Sequence, residues 1–173
     1  MVHSDVAPLP AKQPATALAG PYGHPLHPAL VAVPIGAWIA SLVFDLASFV
    51  VPDPAFLVLG ARWLIGIGVL GALAAAVFGF LDLLTIPPAT RAQRIALVHM
   101  TLNLCATVVF VVDFLLRAGH RSGPVGVGPL VLSVAALAAV GLSGYLGGEL
   151  AYRYGVRVAD ERVQASGYRK EQR

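Results

Sequence analysis

Residues 63–86 read WLIGIGVLGALAAAVFGFLDLLTI, an apolar run in which Asp82 is the one charged side chain. A helix of this length spans about 36 Å, more than the roughly 30 Å hydrocarbon core of a bilayer. Three runs of similar length and polarity occupy Ala29–Val51, Ile95–Leu116 and Val125–Leu150. Because the bilayer core offers no water to the backbone, such segments must be helical. The sequence therefore predicts an all-α integral membrane protein, a four-helix bundle.

Composition agrees with this class. Hydrophobic residues make up 57% of the chain and charged residues 12%, whereas soluble domains carry about 25% charged residues. The formal net charge of +3 does not indicate nucleic-acid binding, since the basic residues lie in loops and near the C-terminus. Cys105 is the single cysteine, which excludes an internal disulfide and any site built from several cysteines.

Three segments are predicted. Residues 1–23 contain four prolines and lack the continuous apolar core of a secretory signal, so we expect a disordered arm. Residues 24–156 form the transmembrane domain. Residues 157–173 form a charged, solvated cytoplasmic tail.

Orientation follows from the Lys and Arg residues that flank the runs. With four spans, both termini and the loop between runs two and three share one side. That side has five close basic residues (Arg91, Arg94, Arg153, Arg157, Arg162) and the other side has three (Arg62, Arg117, Arg121). The pattern predicts a multi-pass protein of the cell (inner) membrane with both termini cytoplasmic.

Small residues predict how the helices pack, because close backbone approach stabilises helix pairs in lipid. Run two has Gly71, Ala75 and Gly79 at four-residue steps, and Asp82 continues this face. Run one has the corresponding series Ala37, Ser41, Asp45 and Ser48. Run four has Gly144 and Gly148, with Ser143 and Gly147 beside them. We therefore expect the acidic residues to lie on packed faces, away from lipid.

Alternating spans bring several polar residues to the cytoplasmic end: His24, His27, Asp82, His99, Asn103 and Glu149. We expect Asp82 to lie within hydrogen-bonding reach of His99, directly or through water. His24, His27 and His99 are predicted to form one functional cluster. The alternative is that all three histidines are structural. His24 and His27 each precede a proline and would then only form a rigid start to the first helix. His99 would only form a hydrogen bond with Asp82 or Asn103.

The opposite end collects Asp45, Arg62, Asp113 and Arg117. The i,i+4 spacing of Asp113 and Arg117 favours a salt bridge, and Glu149 and Arg153 have the same spacing. Asp45 is placed to pair with Arg62 across a short loop. These groups are predicted to be structural, and His99, Asn103 and Asp113 form a polar seam along run three.

Four motifs resemble one prokaryotic membrane family, catalogued as domain of unknown function 2231. They are HPLHPALVAVPIG (residues 24–36), GFLDLLTIP (79–87), ALVHMTLN (96–103) and SGYLGGELAYRYGV (143–156), and the resemblance covers about residues 23–158. The family has no established activity. Some members are joined to Rieske iron–sulfur or other electron-transfer domains, so the resemblance implies association with redox proteins.

Three function classes remain open besides an enzyme. The favoured one is a non-catalytic membrane partner or scaffold for redox or electron-transfer proteins. A second is a haem b subunit with His24 or His27 and His99 as axial ligands. A third is a transition-metal or proton-relay site built from His24, His27, His99 and Asp82. No catalytic motif is evident, and the GxGxxG at residues 66–71 lies inside a membrane helix.

Overall fold

A computed structural model describes residues 9–119 and 123–169. Its α-helices are α1 (Leu26–Leu30), α2 (Ala32–Ala47), α3 (Ala55–Leu83), α4 (Arg91–Leu116), α5 (Val127–Gly148) and α6 (Glu161–Ser166). A 3-10 turn, Arg117–Gly119, extends α4, and a π-helical turn, Glu149–Arg153, extends α5. These residues contain no β-strand.

Four helical segments are long and apolar enough to cross a membrane. They are Leu26–Ala47, Ala55–Leu83, Arg91–Gly119 and Val127–Arg153, with 22, 29, 29 and 27 residues. The predicted all-α, four-span class is thereby confirmed. The second span begins well before the predicted Trp63, because the helix starts directly after Pro54 and carries Arg62 within it. An arginine near the end of a long span can extend towards the membrane surface.

The spans pack as two close pairs, α2 against α3 and α4 against α5. Contacts of α3 with α4 and of α2 with α5 join the pairs into a bundle. At its centre the ring of Trp38 stacks on that of Phe110, with centroids 4.2 Å apart and planes inclined by 14°. The indole also donates a hydrogen bond to the Ile65 carbonyl oxygen (3.3 Å). Gly68 lies directly under the indole, where a Cβ would collide with it.

The predicted small-residue face of α3 is confirmed. A Cβ on Gly71 would lie 2.8 Å from the Val33 side chain, and one on Gly79 would lie 2.9 Å from His27 Nδ1. Ala75 between them is buried. The α2 series of Ala37, Ser41, Asp45 and Ser48 is buried as well.

The corresponding prediction for the fourth span is wrong in its register. Gly144 faces open space, and a Cβ there would meet nothing within 4 Å. Its neighbours form the packed face instead: Ser143 is fully buried, and a Cβ on Gly147 would lie 3.1 Å from the His99 ring. The pair Ser143/Gly147 and the pair Gly144/Gly148 point in directions about 100° apart around the helix. Packing against His99 places the first pair in the interface.

The first and last described segments of the chain lie at the same end of the bundle. We call this the proximal end and the opposite one the distal end. Residues 9–23 include two short 3-10 turns, and Ala11 and Ala19 are buried. The backbone N–H of Arg157 donates to the Ala11 carbonyl oxygen (2.8 Å). The boundaries expected for the arm and the tail stay predictions, and residues 1–8 and 170–173 lie outside the described residues.

Candidate functional sites at the two ends of the bundle

At the distal end, three spans meet in a buried polar group that we call the distal cluster: Asp45, Asp113, Arg117 and Ser133. Arg117 Nη1 and Nη2 donate to the two carboxylate oxygens of Asp45, at 2.6 and 2.8 Å. Its Nε donates to Asp113 Oδ1 at 3.0 Å, and Ser133 Oγ donates to Asp113 Oδ2 at 2.8 Å. The predicted Asp113–Arg117 ion pair is confirmed.

These side chains are removed from both water and lipid. Asp45, Asp113 and Ser133 are 0% exposed and Arg117 is 2% exposed. All four carboxylate oxygens accept a hydrogen bond from Arg117. Such saturation is what permits charged groups inside a membrane protein, because an unpaired charge there is very costly. The distal cluster therefore ties the first, third and fourth spans together.

Arg62 does not pair with Asp45 as we expected, because Arg117 occupies both oxygens of that carboxylate. Arg62 instead donates from Nε to the Phe114 carbonyl oxygen (3.3 Å), and its guanidinium carbon lies 4.6 Å from the centre of the Phe114 ring. Phe114 reaches this position because Gly66 leaves room for its ring.

At the proximal end, two histidines from different spans come together. His27 Nδ1 lies 2.9 Å from the Ala75 carbonyl oxygen, and His99 Nδ1 lies 2.8 Å from the Ser143 carbonyl oxygen. A carbonyl oxygen only accepts, so Nδ1 carries the proton in both rings and Nε2 is the acceptor of the neutral forms. The ring centroids are 6.2 Å apart and nearly perpendicular, at 85°.

Asn103 lies one turn from His99 and completes its surroundings. Its Nδ2 lies 3.2 Å from His99 Nε2 and donates to Ser143 Oγ at 2.7 Å. His99 is thus held by groups of α4 and α5, as the alternative structural interpretation of this residue anticipates.

Asp82 does not make the expected direct hydrogen bond to His99. Arg157 Nε lies 2.8 Å from Asp82 Oδ1, and the two residues are 3% and 7% exposed. The N–H of Nε is not aligned with the oxygen, so this contact is an ion pair without hydrogen-bond geometry. Asp82 stands in the last turn of α3. The segment that follows the fourth span passes over this end of α3 and brings Arg157, rather than His99, against the carboxylate.

Arg157 is buried at this end, although the sequence predicts it to lie in a solvated tail. It has a left-handed backbone conformation (φ 60°) and donates from Nη2 to the carbonyl oxygens of Ala19 and Gly20, at 3.0 and 3.1 Å. We call this the arm–tail clasp: Arg157 with the arm carbonyls and Asp82. The sequence offered one signal for this contact. Arg157 follows the end of the fourth apolar run and Asp82 lies near the end of the second, and these two ends are on the same side of the membrane.

A second contact joins the arm to the tail. The Tyr22 hydroxyl group donates to Asp160 Oδ2 (3.1 Å), and the backbone N–H of Asp160 donates to the Tyr22 hydroxyl oxygen (2.7 Å). The backbone N–H groups of Val163 and Arg162 donate to Asp160 Oδ1. These bonds, that from Val163 foremost, lower the pKa of Asp160 below its usual value. Asp160 is therefore ionised at neutral pH and caps α6.

The remaining predicted residues lie apart from the histidine pair. His24 is exposed, and its Nδ1 is 3.4 Å from the Tyr22 carbonyl oxygen. Glu149 forms the expected pair with Arg153 (3.2 Å). Within residues 9–119 and 123–169, no group of three His, Cys, Asp or Glu side chains is arranged to hold a metal ion.

The four apolar spans, with ionisable groups paired inside the bundle, define a polytopic membrane protein. A family model described as "Predicted membrane protein (DUF2231)" matches residues 23–160, and the chain belongs to that family. No curated protein and no solved structure matches the chain.

Proposed function

We propose that the protein is a non-catalytic membrane subunit that serves as a partner or scaffold for another protein. The supporting observation is the saturation of the distal cluster: its charged groups bond one another and join three spans. An ionisable residue inside a membrane usually indicates a functional site, and here the pairing supplies a structural reason for it. The family resemblance suggests an electron-transfer protein as the partner.

A second candidate function uses the histidine pair. The rings of His27 and His99 lie 6.2 Å apart, and His27 packs against α3, the helix that carries Asp82. Imidazole and carboxylate groups suit a transition metal or a proton relay, and two imidazoles suit haem b. The bonds from both Nδ1 atoms to backbone carbonyls are compatible with a ligand role, because they leave Nε2 as the ligating atom. Against that role, Asn103 already lies against His99 Nε2. His24 is not part of this pair in the structure, so a three-histidine site would require it to move.

One purification separates the two candidates. The full-length chain and its His27→Gln and His99→Gln variants are isolated in mild detergent. A partner or scaffold should bring down a second polypeptide in near-equal amount from all three samples. A harsher detergent then removes the second polypeptide from the chain. Any absorbance change in the reduced-minus-oxidised spectrum should be found with the removed polypeptide. A haem band or stoichiometric metal that stays with the stripped chain and is lost in His99→Gln would contradict the scaffold and support the histidine site.

We also propose that both termini are cytoplasmic, with the chain in the cell (inner) membrane. Five exposed basic residues lie at the proximal end among the described residues: Arg91, Arg94, Arg153, Arg162 and Arg169. At the distal end, Arg117 is buried against two carboxylates and Arg62 is half-buried. Arg121 lies outside the described residues. The exposed positive charge is therefore concentrated at the proximal end, as expected of a cytoplasmic side.

Cysteine labelling checks this orientation. In a Cys105→Ala background, single cysteines replace two exposed residues, Asp53 in the distal loop and Ser166 in α6. A membrane-impermeant maleimide added to intact cells should label Asp53→Cys and leave Ser166→Cys unlabelled until the cells are broken. Labelling of Ser166→Cys in intact cells would reverse the topology.

A further inference from the structure

A groove at the distal end combines apolar walls with Arg62, which has no carboxylate partner within residues 9–119 and 123–169. Its volume is about 410 Å³, and it is lined by Ala55, Phe56, Val58, Leu59, Arg62, Arg117 and Ala118. A second cavity of about 280 Å³ shares Val58 and Arg117 with it and continues towards the start of α5. The two cavities therefore lie together at the distal end of the bundle, between the start of α3, the end of α4 and the start of α5.

Arg62 is held in a defined position in this groove. Its Nε bonds the Phe114 carbonyl oxygen, and the Phe114 ring lies against one face of the guanidinium group. Among the described residues, no carboxylate pairs with Arg62 and no acceptor bonds its Nη1 or Nη2 atoms. The nearby carboxylates of Asp45 and Asp113 are both occupied by Arg117. Four N–H bonds in a planar fork thus remain available, a geometry that matches a phosphate group.

The depth of Arg62 fits the same ligand. It lies seven residues into α3, about 10 Å along the axis from Ala55, in a helix of 29 residues that is longer than the hydrocarbon core. This places it near the level where phospholipid carbonyl and phosphate groups begin. Phe56 and Trp63 on the same stretch are 64% and 65% exposed, as is usual for aromatic residues at the membrane interface.

We propose that a phospholipid binds at this groove, with its phosphodiester group on the free N–H groups of Arg62, its head group towards the start of α3 and its acyl chains in the bilayer on the deeper side of Arg62. The occupant is a lipid and not free phosphate, because Arg62 lies within the second span, near the level of lipid phosphate groups. The site lies at the opposite end of the bundle from the histidine pair, and it does not depend on the proposed function.

The test titrates the delipidated full-length protein in detergent with dioctanoyl-phosphatidylglycerol and follows binding by native mass spectrometry. The wild type should bind saturably, and Arg62→Gln should bind at least about tenfold more weakly, because hydrogen bonds to a charged group are lost. Arg62→Lys should fall between them, since it keeps the charge and loses the fork. Arg94→Gln, an exposed arginine at the proximal end, is the matched control and should bind like the wild type.

Phe114→Leu keeps the carbonyl oxygen and removes the ring that supports Arg62, so it should also weaken binding while the variant elutes as folded protein. This variant keeps the proposal testable if Arg62→Gln does not fold. Excess inorganic phosphate should not displace the lipid. The proposal is overturned if the wild type shows no saturable binding, if Arg62→Gln and Phe114→Leu bind as tightly as the wild type, or if inorganic phosphate alone competes.

Discussion

Replacing Arg117 with glutamine should prevent most of the protein from folding. The change would leave the carboxylates of Asp45 and Asp113, both 0% exposed, without a cation. Breaking a buried ion pair by removing one partner typically costs about 3–5 kcal/mol, and here two carboxylates lose the same partner. The measurement is the fraction of detergent-solubilised protein that elutes as a single species after mild heating, compared with the wild type.

The matched control for this variant removes all three charges together, as Asp45→Asn, Asp113→Asn and Arg117→Gln. It should recover much of the folded fraction, because the large cost comes from the uncompensated charges and not from the loss of attraction itself. Arg62→Gln, which removes an arginine near the same depth, should leave the folded fraction close to that of the wild type. If Arg117→Gln folds as well as the wild type, the distal cluster does not hold the spans together.

Replacing Arg157 with alanine should open the arm–tail clasp. The variant loses two hydrogen bonds to the arm carbonyls and leaves the 7% exposed Asp82 without its cation. We expect a destabilisation of about 3 kcal/mol, at the low end for a buried pair because Asp82 stands in the last turn of its helix. Limited proteolysis in detergent should then cut residues 9–20 faster than in the wild type, and the thermal midpoint should fall.

Two further variants divide this effect into its causes. Arg162→Ala, in the same tail but exposed, should change neither the cleavage rate nor the midpoint. Arg157→Gly relieves the left-handed backbone strain, which is about 1–2 kcal/mol for a residue with a side chain, and should be slightly less damaging than Arg157→Ala. Equal protection of the arm in Arg157→Ala and the wild type would show that the clasp does not secure it.

Local sequence patterns correctly predicted the features that depend on one helix alone. The four apolar runs predicted four spans, because length and hydropathy alone determine whether a helix can cross a bilayer. The ion pairs Asp113–Arg117 and Glu149–Arg153 were predicted because residues four apart on one helix are neighbours whatever surrounds them. The small-residue face of α3 was also predicted, since its steps of four residues repeat over several turns.

Contacts between distant segments were decided by the tertiary structure. Asp45 could pair with Arg62 or with Arg117, and the rotation of α4 against α2 brings Arg117, 72 residues away, into the distal cluster. Asp82 meets Arg157 and not His99, because the chain turns back over the end of α3 after the fourth span. The choice of Ser143 and Gly147 over Gly144 and Gly148 depends likewise on one rotation. A helix's composition determines whether it enters the membrane, but the rotation and depth that all neighbours must satisfy together determine which polar groups meet.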